Sequence, residues 1–348
     1  MAKKELINSQ TDRQNILNNE YVLEELIDVF EFDKIYFEGK IRFLKDEIAN
    51  FFEVDVRTIE RYIEKYNSEL ISNGYEILRG QRLKEFITIY NQFTSQVTDN
   101  DVGDLPRTIP SLGIFDFRSF IDLAMLFADN DRAKVVRQII LDISIDIINK
   151  KAGGSTKYIN QRDEDFLISW YTSENCRKEF TNALNKFVSG GKSKYPIYTD
   201  KIYKIIFKEK SQEYRQILKL EIKDKTRDTM YSEVLDLISG FELGLAKEIE
   251  SSYHNNNDKK LSFYEVDQII KKLENNPFFL PLIEKARKKM ASRDYQFRDA
   301  YHPELAKYIS SLPADDYERF LGEKSKELIE RINENKDVLK RLKEEGDE

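Results

Sequence analysis

Among 348 residues there is one cysteine, two histidines, seven prolines and thirteen glycines. The single thiol, Cys176, excludes an internal disulfide framework and a zinc site built on clustered thiolates. His254 and His302 are too few for a multi-histidine metal centre, so no metal and no cofactor is expected. Scarce proline and glycine argue against an all-β or collagen-like chain, because both residues punctuate turns. Long apolar runs are also missing. The richest stretch, around Ile139–Ile148, is broken by Asp142 and Asp146 and falls short of the ~20 residues a bilayer span needs. Met1-Ala-Lys-Lys leads into polar residues, without the apolar segment of a secretory signal. A cytoplasmic protein with no membrane partner is expected.

What the chain does have is aromatic and charged. Its 22 Phe and 19 Tyr, with many Ile and Leu, argue against disorder. The length favours two or three domains over one core. The 56 basic and 63 acidic residues leave a net charge of −7, unevenly spread. Residues 1–39 carry 4 basic and 9 acidic side chains, whereas residues 40–85 carry 9 of each. Phosphate affinity depends on local Lys and Arg clusters, so the acidic total does not exclude nucleic acid.

Periodicity points to a mainly α protein, with an amino-terminal winged helix-turn-helix followed by helical domains. Val22–Phe32 reads as a short helix within an extension over residues 1–39, and Ile35–Phe37 as a strand. Residues 40–95 hold two helical patterns split at Glu53-Val-Asp55, then a small hairpin over Gly74–Phe86 around Gly80. Asp99-Asn-Asp101, Gly103, Pro106 and Pro110 mark a loop and a domain boundary. A helical module covers residues 113–152 and a larger helical region covers 155–312. That region is read as two helices at Asp163–Tyr171 and Ser173–Val188, a helical stretch over 199–252 with one interruption near Asp224, a helix at Ser262–Glu274 and another at Leu282–Met290. Residues 313–348 form a charged amphipathic helix.

The stretch Phe43–Ile63 carries the clearest chemistry. Ala49 is small where two crossing helices require it. Ile48, Phe52, Val54, Ile59 and Tyr62 or Ile63 supply the buried faces. Arg57, Thr58 and Arg61 then point outward, the two arginines four apart on one face, suited to guanine edges or phosphates. Arg79, Arg82 and Lys84 on the expected hairpin would act as a wing against phosphates. The plain alternative is a helical hairpin with Arg57–Glu60 and Arg61–Glu64 surface pairs. Two features count against the motif: Glu53 stands where glycine is usual, and Glu60 would repel phosphate.

Leu44-Lys-Asp-Glu-Ile-Ala through Arg57-Thr-Ile-Glu-Arg-Tyr resembles the amino-terminal DNA-binding part of the RhuM-type proteins of bacterial mobile elements. Phe117-Arg-Ser-Phe-Ile-Asp-Leu-Ala-Met-Leu126, followed by Asp131–Asp142, is similar to the BRO-N-like phage antirepressor pattern. The resemblance spans roughly residues 40–150. It implies a prophage-type or defence-island DNA-binding protein, with Arg57, Arg61 and Arg137 as the matched basic positions.

Catalytic motifs are few. Neither a phosphate-binding G-x-x-x-x-G-K-[ST] loop nor a G-x-S-x-G elbow occurs. The best enzyme-like cluster is Arg293, Asp294, Arg298 and His302, in which an arginine would steady a phosphate and the histidine transfer a proton. Its Arg–His spacing is shorter than in known ribonuclease helices, and an ion-pair network locking helices together is the simpler account. Leu321, Ser325, Leu328, Ile332, Asn335, Leu339 and Leu342 follow a heptad seam suited to a short dimeric coiled coil. The expected function is sequence-specific binding of double-stranded DNA by a homodimeric regulator from a prophage or mobile element. The alternative is an antiphage-defence or toxin–antitoxin component whose carboxy-terminal region cleaves nucleic acid or binds a partner protein from the same operon.

Overall fold

The computed structural model describes residues 6–30, 35–95, 105–106, 108–128, 130–323, 325, 328–334 and 336. The protein is mainly helical with one small four-stranded sheet. Two compact units divide the chain, one ending at Ile147 and the other starting at Ile148. Among the described residues, no helix is long and apolar enough to cross a membrane.

The amino-terminal unit opens with α1 (Gln10–Leu17) and α2 (Glu20–Val29). Strands β1 (Ile35–Phe37) and β2 (Lys40–Leu44) lead into α3 (Lys45–Phe52), α4 (Val56–Lys65) and α5 (Asn67–Ser72). Then come β3 (Glu76–Leu78), α6 (Gly80–Thr94), β4 (Leu112–Asp116), α7 (Phe117–Leu126) and α8 (Asp131–Lys151). The antiparallel sheet has the order β1-β2-β4-β3, with Leu44 and Glu76 both opposite Ile114.

Side chains alternate across a strand, and here both faces of the sheet are covered. Phe43 and Phe115 join the larger core with Ile48, Phe52, Ile59 and Phe120. Leu44, Leu78 and Ile114 pack instead with Leu83, Phe86, Ile87 and Tyr90 of α6. This corrects the expected hairpin over Gly74–Phe86. Only β3 forms there, and its partner is the distant β4. Leu83, Phe86, Ile87 and Tyr90 recur at helical spacing, so burying them together against the sheet requires a helix. The boundary expected between 95 and 113 is likewise corrected: β4 completes the sheet, so both sides of it belong to one unit. Phe115–Asn149 is not helical throughout, because Phe115 and Asp116 are strand, and Asp116 accepts from the Ser119 amide to cap α7.

A buried polar cluster ties α1, α5 and α7 together. Arg13 makes a two-pronged contact with Glu69, both bonds 2.8 Å long. Asp122 accepts from Asn73 through one oxygen, while its buried Oδ1 has no hydrogen-bond partner. Burial pushes the Asp122 carboxyl up to about 7. Because its folded value exceeds the unfolded one near 3.9, ionising Asp122 costs stability above pH 7, a cost that fades as pH falls toward 4. The amino-terminal unit should therefore gain more than about 1 kcal/mol between pH 8 and pH 5. Urea midpoints at the two pH values should differ for the parent chain and converge in Asp122→Asn. An equal gain in the variant would place the titration elsewhere.

The carboxy-terminal unit contains α9 (Phe166–Phe187), α10 (Lys194–Phe207), α11 (Ser211–Ile217), α12 (Ser232–Asn255), α13 (Phe263–Glu274) and α14 (Phe279–Arg298). After these come α15 (Ala314–Leu321) and α16 (Leu328–Glu334), with short 3-10 turns at Ile159–Arg162, Thr226–Thr229 and Pro303–Tyr308. The long helices α9 and α12 pack along one another, and Phe180 and Leu184 on one and Ile238 and Ile249 on the other are buried. Three sequence boundaries are corrected. α9 runs unbroken through Thr172, because the polar Ser173 is satisfied in the interior by Arg227. α14 starts ahead of Pro281, since the first turn of a helix tolerates proline. The amphipathic helix expected from Pro313 onward ends at Leu321, with Leu321 and Ser325 buried in their own unit and Arg162 donating to Ser325. The heptad seam is therefore interrupted at Gly322, while its positions Asn335, Leu339 and Leu342 lie outside the described residues.

Candidate nucleic-acid interface

Helices α3 and α4 are joined by the three residues Glu53-Val54-Asp55. Glu53 adopts the left-handed conformation, φ +53° and ψ +45°, that glycine takes most easily. The strain is offset by contacts from the start of α8. Arg132 pairs with the Glu53 carboxylate at 2.8 Å and donates to the Phe51 carbonyl at 2.6 Å. Asn130 donates to the Phe52 carbonyl at 2.8 Å. Both carbonyls belong to the last turn of α3, where helix geometry leaves them without partners. Asp55 then caps α4 by accepting from the Arg57 amide at 2.8 Å.

The packing agrees with the periodicity. Ile48, Ala49, Phe52 and Ile59 are buried, and Val54, Tyr62 and Ile63 pack at the edge of the same core. Tyr62 locks α4 in place: its ring lies edge-on to Phe127, and its hydroxyl accepts from the Ala128 amide. Arg57 and Arg61 stand exposed one turn apart, and Thr58 is half-buried between them. Neither expected surface pair, Arg57–Glu60 or Arg61–Glu64, forms among the described residues. Glu60 is taken instead by Lys45 at the start of α3. The two arginines therefore have no carboxylate partner among the described residues, and the acidic side chain between them is neutralised. They line a groove of about 630 Å³ with Lys45, Tyr75, Gly113 and Phe115. Sequence reasoning missed Lys45, whose role depends on how α3 crosses α4, and Lys65, exposed two turns beyond Arg57.

The expected wing residues separate. Arg79 precedes α6 and Lys84 lies on it, both exposed. Arg82 is held by Glu38 and Glu76, which corrects its assignment as a free phosphate contact. Arg137 is also corrected. It is half-buried and donates to the Phe127 and Ala124 carbonyls at the end of α7, so its charge completes a helix terminus. Burial lowers its pKa, as expected for a cation held away from solvent.

The catalytic alternative falls in the other unit and is wholly interior. Arg293, Asp294 and His302 are fully buried, and the Arg298 side chain is 3% exposed. His302 lies beyond α14, which ends at Arg298 because Asp299 turns left-handed with φ +49°. His302 therefore does not share a helix with Arg293, Asp294 and Arg298. The His302 ring bridges two carboxylates, Glu209 at Nδ1 and Asp294 at Nε2, each at 2.9 Å. Asp294 also receives Tyr231 at 3.0 Å and Arg298 at 2.7 Å. Arg293 pairs with Glu233 at 2.8 Å and Asp316 at 2.7 Å. Burial alone would lower the His302 pKa, but hydrogen bonds to Asp294 and Glu209 outweigh it and raise the value to about 9. Every charge in this cage faces an opposite charge. Glu209 and Tyr231 lie too far from His302 in the chain for spacing to reveal them. No protein-family model, curated protein or solved structure matches the chain.

Proposed function

We propose that the amino-terminal unit is a winged helix-turn-helix that binds double-stranded DNA, with α4 in the major groove. The protein then acts as a sequence-specific regulator of the mobile-element kind that its RhuM-like and BRO-N-like stretches imply, reading its site as a homodimer. The observation that carries this reading is the pair of exposed arginines on α4, without a carboxylate partner among the described residues, beside a Glu60 already neutralised by Lys45. The topology supports it. A strand, two helices joined by a short turn and two further strands give the local sheet order β2-β4-β3, as in winged helix-turn-helix folds. The β3–β4 connection, where a wing is usual, carries α6 with exposed Arg79 and Lys84.

Fluorescence anisotropy with an own-promoter duplex and a scrambled duplex, at two salt concentrations, tests the reading. Tighter binding to the promoter is expected, weakening steeply as salt rises. Arg57→Ala and Arg61→Ala should each lose about 1–3 kcal/mol of promoter affinity if they contact bases. Both are exposed, so melting temperatures should not change. Unchanged affinity in both variants would take α4 off the DNA, and no binding to either duplex at low salt would end the proposal.

A further inference from the structure

The turn between α13 and α14 displays large apolar side chains to solvent. Phe278 is 84% exposed, Leu282 51% and Leu280 49%. The turn is held by its own contacts: Asn276 accepts from the Phe278 amide at 3.0 Å, and Phe279 anchors inward, its ring 4.3 Å from that of Phe241. Phe278, Leu282 and Lys285 are four and three residues apart and share one face of the helix start. Lys271 and Lys272 on α13 and Lys285 and Lys288 on α14 are exposed and form no ion pair among the described residues. These four lysines flank the apolar turn in sequence, where the acidic residues are Glu274 and Glu284, and Glu284 is paired with Arg287, so the stretch is net basic in a chain of net charge −7.

We propose that this turn docks the protein onto an anionic phospholipid surface, with Phe278, Leu280 and Leu282 inserted at the headgroup boundary and the four lysines against lipid phosphates. Exposed apolar side chains flanked by exposed lysines are the chemistry of peripheral membrane contact, where apolar burial and attraction to anionic lipid act together. It needs no spanning segment. A second copy of the same surface would bring lysines against lysines. A DNA backbone would meet the lysines but would leave three adjacent apolar side chains against phosphate or water.

The proposal is independent of the DNA-binding reading. The test is co-sedimentation of the full chain with phosphatidylcholine vesicles and with mixed phosphatidylcholine–phosphatidylserine vesicles. Binding is expected only to the mixed vesicles. It should weaken about tenfold or more in Phe278→Ser/Leu282→Ser and in Lys285→Gln/Lys288→Gln. Arg57→Ala should bind vesicles as the parent does. Three results would overturn the proposal: no binding to mixed vesicles, binding indifferent to the Phe278→Ser/Leu282→Ser change, or lysine variants that lose DNA affinity while keeping vesicle affinity.

Discussion

Replacing His302 with alanine should cost the carboxy-terminal unit about 3–5 kcal/mol, the penalty for leaving buried carboxylates without their cation. Both ring nitrogens face carboxylates, so each must carry a proton and the folded imidazole is a cation. Its folded pKa of about 9 lies above the unfolded value near 6.5. The stabilisation is therefore complete below about pH 6.5 and is lost as pH rises through 9. A shift of this size corresponds to about 3 kcal/mol. On the acid side, Arg298, His302 and Tyr231 overcome the effect of burial and hold the Asp294 carboxyl below the usual range. That contribution is present above the unfolded carboxylate value and is lost as pH falls through the lowered one. Chemical denaturation of the parent chain between pH 7 and 10 should show declining stability, and His302→Ala should be weaker at pH 7 and flatter across the interval. A catalytic histidine would behave differently, losing activity with its melting temperature intact. An unchanged melting temperature in His302→Ala would show that the cage is not what holds these helices.

Gly74→Ala should be comparably damaging to the amino-terminal unit. Gly74 has φ +111°, outside the region an L-residue occupies easily. A Cβ there would lie 2.1 Å from Asp116 Oδ1 and 2.3 Å from its Cγ. The Asp116 carboxylate has little freedom to yield, since it caps α7 through Ser119 and pairs with Lys40. Backbone strain and overpacking together should cost about 3 kcal/mol or more. Gly39→Ala is the control, because Gly39 has φ +74° with open space where the added methyl group would stand, and it should incur only about 1–2 kcal/mol of backbone strain. Urea unfolding of the two variants separates the terms, and equal midpoints would mean that the Asp116 contact gives way. Because Gly74 lies just ahead of β3, DNA affinity should fall with stability in Gly74→Ala, if α4 is the reading helix.

The pair of helices α3 and α4 was legible because its determinants are local. The apolar residues Ile48, Phe52 and Ile59 recur at helical spacing, and Asp55 caps the helix it precedes. Glu53 looked like a defect because the cost of its left-handed backbone is local, whereas Arg132, which helps offset it, comes from a distant helix. The expected hairpin over Gly74–Phe86 failed for a related reason. Tyr75–Leu83 reads as two short strands around Gly80 in a short window, while α6 becomes evident only when Phe86, Ile87 and Tyr90 are counted against the second face of the sheet.

Sequence by itself determined that the chain is mainly helical, that Ile48, Ala49, Phe52 and Ile59 would be interior, and that Arg57 and Arg61 would share an outer face. Those properties follow from periodicity and capping over a few residues. Tertiary structure decided which charges are free. It drew Arg82, Arg298 and His302 into contacts that include the distant Glu38, Asn160 and Glu209, turned Arg137 onto the carbonyls that end α7, gave Lys45 to Glu60, and left Arg57 and Arg61 with no carboxylate partner among the described residues. An ion pair depends on separation in space and on the water it displaces, and neither can be read from spacing along the chain.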